Sequence, residues 1–110
     1  MTGKLSFADV LPISETGFYI LLALSEPRSG KGISEYITRL TNGRIKPGPG
    51  TVYNALCGLC RRRIIDVYDD SGRRVIYDMT DKGRELLSAG ERRIKAVSRD
   101  VGLAAAERQG

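Results

Sequence analysis

KPGPGTVYNAL, residues Lys46 to Leu56, decides how this chain is read. Prolines and glycines alternate from Pro47 to Gly50, and a helical pattern starts directly behind them. Proline suits the first turn of a helix, so a helix is predicted from Pro49 to Arg62. A glycine-rich entry of this kind presents unpaired N–H groups and the positive end of the helix dipole to an anion. The anion is a bound nucleotide's phosphate, a nucleic-acid backbone, or neither. A nucleotide-binding P-loop needs G-x-x-x-x-G-K-[ST] between a strand and a helix. Here Gly50 stands where the lysine should precede Thr51, and no βαβ unit surrounds it. A DNA backbone fits the stretch better.

The predicted helix has two unlike sides. Val52, Leu56 and Leu59 line one, with Tyr53 and Cys60 at its edge. Thr51, Asn54, Gly58 and Arg61 line the other, flanked by Arg62. The second stripe holds small or hydrogen-bonding side chains and no acid. In a major groove Arg suits guanine, Asn suits adenine, and small residues permit close approach. An ordinary solvated face is the plain alternative. The acid-free surroundings and the glycine-rich entry favour the groove: Gly43 to Arg63 contains Arg44, Lys46, Arg61, Arg62 and Arg63 but no Asp or Glu.

The whole chain, 110 residues with net charge +5, suits one soluble domain with a basic surface. Its longest apolar run, Phe18 to Leu24, is too short to span a bilayer, and the N-terminus does not read as a signal peptide. The expected location is cytoplasmic, with no membrane association. The apolar stretch Ile13 to Leu24 predicts a buried helix over Ser14 to Ser25, N-capped by Ser14 and stopped by Pro27. Gly30 to Gly32 reads as a short connection. Ile33, Ile37 and Leu40 then share one face of a second helix, closed by Asn42-Gly43. After the third helix the pattern changes. RIIDVYDD and RRVIYDMT flank Asp70-Ser71-Gly72, which predicts a β-hairpin, and a long helical segment begins at Thr80.

These motifs, in this order, resemble the PadR-like transcriptional regulators of the winged helix-turn-helix class. FYILLALSE looks like that family's first helix. GPGTVYNAL is similar to its recognition-helix entry, G-T-[LV]-Y-x-A-L. LCRRRIIDVYDD looks like the helix end and first wing strand, and RRVIYDMTDKG is similar to R-x-Y-x-[LI]-T-x-x-G. The likeness spans about Ile13 to Leu87. It departs from the family at Lys31-Gly32-Ile33, where His-Gly-Tyr is common, and at Arg63, where a glycine usually ends the third helix. The C-terminal region is short, as in the family's short members.

The resemblance implies an α+β, mostly α fold: three helices and a β-hairpin wing, followed by a C-terminal dimerisation helix. Residues 1–80 would form the DNA-binding domain and 81–110 the dimerisation helix, within one compact unit. The third helix would be the recognition helix, and Arg73 and Arg74 would meet DNA from the wing. Tyr53 matches the family's tyrosine and either touches a phosphate or packs in the core. The expected DNA-binding residues are Lys46, Gly50, Thr51, Tyr53, Asn54, Arg61, Arg62, Arg73 and Arg74.

The last segment carries its own pattern. Leu87, Gly90, Ile94, Val97, Val101 and Ala104 recur at spacings of three and four, a heptad seam flanked by Arg92, Arg93, Lys95, Arg99 and Glu91. It packs within the chain or against a second copy, and its length favours a homodimer interface. Cys57 and Cys60 form a C-x-x-C late in a helix, away from the helix start that a thioredoxin-like site uses, and the chain has no histidine. No catalytic set, metal site or cofactor is expected. The expected function is a dimeric, sequence-specific DNA-binding repressor acting on a pseudopalindromic operator, with a small-molecule effector of unassigned identity. The alternatives are a winged-helix module that binds protein or RNA, and a thiol-based redox switch.

Overall fold

A computed structural model describes residues 14–109. Ile13, the head of the first apolar stretch, falls outside them. Helix α1 spans Glu15–Ala23. Ser14 caps it, its hydroxyl accepting from Gly17 N at 3.1 Å. The helix ends earlier than the Ser25 expected from Pro27. Arg28 folds back and donates from Nε to the Ala23 carbonyl at 2.6 Å, satisfying one of the carbonyls that every helix end leaves open.

Arg28–Ser29 form a two-residue strand, β1, which the sequence does not announce. Helix α2 follows at once as Gly30–Leu40, so Gly30 to Gly32 is helix and not the expected connection. The reason is Ser29, whose hydroxyl accepts from Gly32 N at 3.0 Å and starts the helix behind it. Ile33 and Ile37 are buried as expected, but Leu40 remains 49% exposed and is not part of the core. Asn42 and Gly43 both adopt positive φ (55° and 81°). Gly43 N bonds to Thr38 O at 2.8 Å and Asn42 N to Arg39 O at 3.1 Å, the paired bonds of a Schellman stop.

Helix α3 spans Pro49–Arg61, with Pro49 in its first turn. Strands β2 (Ile65–Asp69) and β3 (Ile76–Met79) form the hairpin, and β1 adds to the other side of β3 to give the order β1-β3-β2, all antiparallel. A bulge at Tyr68 shifts the register between Val67, opposite Tyr77, and Asp69, opposite Ile76. Helix α4 then runs from Asp81 to Gln109.

The core lies where the helices meet the hairpin's base. Ile20, Leu21, Leu24, Ile33, Ile37, Ile64 and Ile65 are fully buried there, beside Val52, Leu56 and Leu59 of α3. Burial of such side chains contributes about 1.5–3 kcal/mol each, and it fixes which side of α3 faces outward. Two devices join α3, the hairpin and α4. Thr80 Oγ1 lies 2.7 Å from Arg63 O and 2.9 Å from Ile64 O, and it accepts from Gly83 N at 3.1 Å. Gly83 lies so close to the Ile64 carbonyl that a Cβ there would overlap its oxygen.

Along α4 the seam divides. Leu87 is half-buried against the core and Gly90 is buried, so its first third packs within the chain. Ile94, Val97 and Val101 are 40%, 47% and 58% exposed, and Ala104 is exposed as well.

Candidate nucleic-acid interface

All nine residues expected at DNA are exposed. The entry to α3 explains how five of them are presented. Ser34 Oγ donates to Pro47 O at 3.0 Å, which ties the turn to α2. Thr41 Oγ1 donates to Ile37 O at 2.8 Å and accepts from Ile45 N at 3.0 Å, so the chain leaves α2 along a fixed path with Lys46 outward. Gly48 is the N-cap, in extended conformation, and it supplies no side-chain bond; the first turn of α3 holds no acid. A Cβ at Gly48 or Gly50 would meet nothing within 4 Å, and neither residue has a left-handed φ. Nothing in the described structure requires glycine at either position.

Beyond this entry Thr51 and Asn54 project outward from the side of α3 opposite Val52, Leu56 and Leu59. Tyr53 is 63% exposed, so of its two sequence readings the core packing is excluded. A hydrogen bond with the Cys57 thiol, one turn further on, raises its phenol above the ordinary tyrosine value. Tyr77 of β3 is raised too, first by burial and then by Cys60, Cys57 and Tyr53 nearby. Both cysteines are free and half-buried, and burial pushes the Cys60 thiol up, which lowers its thiolate fraction.

The wing is ordered at its head by Asp69. Its carboxylate accepts from Ser71 N at 2.9 Å and from Ser71 Oγ at 2.7 Å, and these bonds hold it below the usual carboxylate range. Arg73 and Arg74 follow in the exposed loop. Arg74 and Tyr53 line one cavity together with Lys31, from the first turn of α2. In the sequence Lys31 stood out only as a departure from the family pattern. Its place at the opening of the second helix was the one available signal.

The remaining arginines are placed elsewhere. Arg61 lies about ten residues, roughly 15 Å along the helix, from Thr51, in a cleft shared with Arg63, Asp66, Asp81 and Lys82. Arg62 lies beside Ser14 and Gly17 of the α1 entry. The basic side chain of Arg44 is turned back to the Tyr19 hydroxyl at 3.0 Å. Of the expected residues the structure brings Tyr53 and Arg74 together at one cavity, while Arg61 and Arg62 lie at the far end of α3.

Three helices, a hairpin wing and a third short strand define a winged helix-turn-helix protein. The chain belongs to the transcriptional regulator PadR-like family, whose model matches residues 20–89. Among curated proteins no sequence matches. Solved structures agree on the fold. A PadR family transcription regulator from hypervirulent Clostridium difficile R20291 is similar with a TM-score of 0.71 at 18% identity, over 84% of this chain and 99% of that one. A PadR-like transcriptional regulator from Bacillus cereus strain ATCC 14579 has a TM-score of 0.67 at 21% identity, over 82% and 89%. Bacillus subtilis PadR, solved in complex with operator DNA, has a TM-score of 0.59 at 22% identity, over 67% of this chain and 45% of that one. The family and fold are those of transcriptional regulators, not of enzymes. No helix of the described residues is long and apolar enough to cross a membrane.

Proposed function

We propose that this protein is a dimeric repressor that binds a pseudopalindromic operator in double-stranded DNA. The observation that carries the reading is the outward side of α3: exposed, free of acids, and entered through two glycines that nothing inside the fold requires. In this reading Gly50 lets the backbone approach a phosphate, while Thr51 and Asn54 reach base edges. Lys46, Tyr53, Arg73 and Arg74 hold the DNA backbone, and Arg61 and Arg62 meet phosphates flanking the groove. The operator complex of the Bacillus subtilis relative supports DNA as the partner. Repression needs only occupancy of the operator, which the helix and wing supply.

The exposed stripe Ile94, Val97 and Val101 supports a homodimer, because a second copy would remove this apolar surface from water. Residues 1–80 then serve as the DNA-binding part and 81–110 as the dimerisation helix. Two recognition helices related by a two-fold axis would meet half-sites about 34 Å apart, or a multiple of that. Ile94→Asp should yield monomers, since it places an unpaired charge in the seam. An unchanged dimer mass in analytical ultracentrifugation would remove the seam from the interface. Selection of bound duplexes from a random library tests the function itself. Enrichment of an inverted repeat is expected, and enrichment of no sequence would favour the alternative of a protein- or RNA-binding module.

A further inference from the structure

The C-x-x-C of α3 is a motif that the DNA-binding reading leaves without a role. Its cysteines, Cys57 and Cys60, stand three residues apart on an unbroken stretch of helix, so they are neighbours on one side of it. Both are free and half-buried. Cys57 lies close enough to Cys60 to act on its ionisation, and both act on Tyr77 of β3. Cys60 also lines the cleft of about 650 Å³ between the end of α3, β2 and the start of α4, which gives a small solute a way to the pair.

The spacing selects among the things two thiols can hold. Cβ atoms three residues apart on a helix are about 5–6 Å from each other, whereas a disulfide needs about 3.5–4.5 Å. Closing one would distort α3 where buried Leu56 and Leu59 fix it to the core. Zinc asks for four ligands. The chain has two cysteines and no histidine, and no group of three or more Cys, Asp or Glu is gathered to hold a metal among the described residues. A soft ion satisfied by two sulfurs meets both limits. With metal–sulfur bonds of about 2.3 Å it spans sulfurs up to roughly 4.6 Å apart, within reach of the helical spacing. Thiolates also favour soft ions over hard ones.

We propose that Cys57 and Cys60 together bind one soft monovalent ion per chain, copper(I) being the biological member of that class, as a two-coordinate bis-thiolate. Two S–H bonds break and two metal–sulfur bonds form; both protons leave to water and the copper keeps its charge. The resulting complex is an anion, and the cleft beside Cys60 answers it. Arg61, Arg63 and Lys82 line that cleft with Asp66 and Asp81, and Asp81 is already paired with Arg84 at 3.4 Å. Among the described residues none of these three cations has an acidic partner. The site stands whether or not α3 reads DNA.

The test uses the full chain under argon with ascorbate, and copper(I) is supplied as its bicinchoninate complex. The protein should withdraw one copper per chain, and silver(I) should bind at the same stoichiometry. Zinc(II) should bind at least about a hundredfold more weakly. X-ray absorption at the copper edge should show two sulfur neighbours and no nitrogen. No copper withdrawn, zinc bound as tightly as copper, or a copper with three or more ligands would overturn the site. These readings need only the parent protein, so they hold even if a variant fails to fold. Cys57→Ser and Cys60→Ser should each weaken copper binding about a hundredfold or more. A single-serine variant that keeps one copper per chain at the parent's affinity would overturn the pairing. Ultracentrifugation should give the same mass with and without copper, and a higher mass with it would place the ion between chains and overturn the site within one helix.

Discussion

At the N-terminal end of α3 two glycines stand where any side chain would have room; at its C-terminal end an arginine stands where a glycine would be easier. Gly48 and Gly50 have open space and ordinary φ values. Arg63 has a φ of 59°, in the left-handed region that costs an L-residue about 1–2 kcal/mol. Yet the C-terminal end keeps the same stop as α2. Ile64 N bonds to Leu59 O at 3.0 Å and Arg63 N to Cys60 O at 3.0 Å, and Leu59 and Ile64 are buried together. The sequence leaves two ways to end the helix without glycine, a different turn or a strained one, and the observed turn is the usual one under strain. The next glycine, Gly83, is the reverse case, because the Ile64 carbonyl fills the space a side chain would need. Glycine in this chain therefore has two meanings. At position 83 it answers to the fold; at 48 and 50 nothing in the described structure requires it, and the proposed approach to DNA would.

Substitutions can break this contrast. The largest effect is expected at Gly83→Ala. On an ordinary helix this change would stabilise by up to about 1 kcal/mol, but here overlap with Ile64 O should destabilise by about 3 kcal/mol in a denaturant titration. A stabilised variant would show that the α4 entry has slack and that Gly83 does not fix the hairpin to it. The middle effect is at Gly50→Val. Affinity for every duplex should fall about tenfold, while unfolding stability changes by less than about 0.5 kcal/mol. A large stability loss with unchanged DNA affinity would give this glycine the same meaning as Gly83. The smallest is Arg63→Gly, which should raise stability by about 1 kcal/mol by relieving the left-handed arginine. No rise in thermal midpoint would mean that the arginine side chain compensates for its backbone.

Most of the fold was legible because its signals are local. Periodicity marked α1, α2 and α3, Asn42-Gly43 marked a stop, and Asp70-Ser71-Gly72 marked the hairpin. The misses depend on contacts distant in sequence or on segments too short to show a period. Strand β1 has two residues and exists because β3 pairs with it. Leu40 follows the apolar spacing of α2, yet its position at the helix end carries it past the core. The outward face of α3 could be read from Thr51 and Asn54 by helical geometry alone. The company of Lys31, Tyr53 and Arg74 could not, because they come from three elements that only the packed core brings together. The same limit applies to Arg61, which shares the stripe of Asn54 in a helical projection but lies in a cleft with Asp66 and Asp81.

The central claim is that the outward side of α3 reads bases, and Asn54 is its most direct test. Affinities of the parent protein and Asn54→Ala would be measured for the selected operator and for a non-specific duplex, at one fixed salt concentration. The substitution should cost about 1–3 kcal/mol on the operator and distinctly less on non-specific DNA. If the ratio of the two affinities stays the same in the variant, this face of α3 does not read sequence.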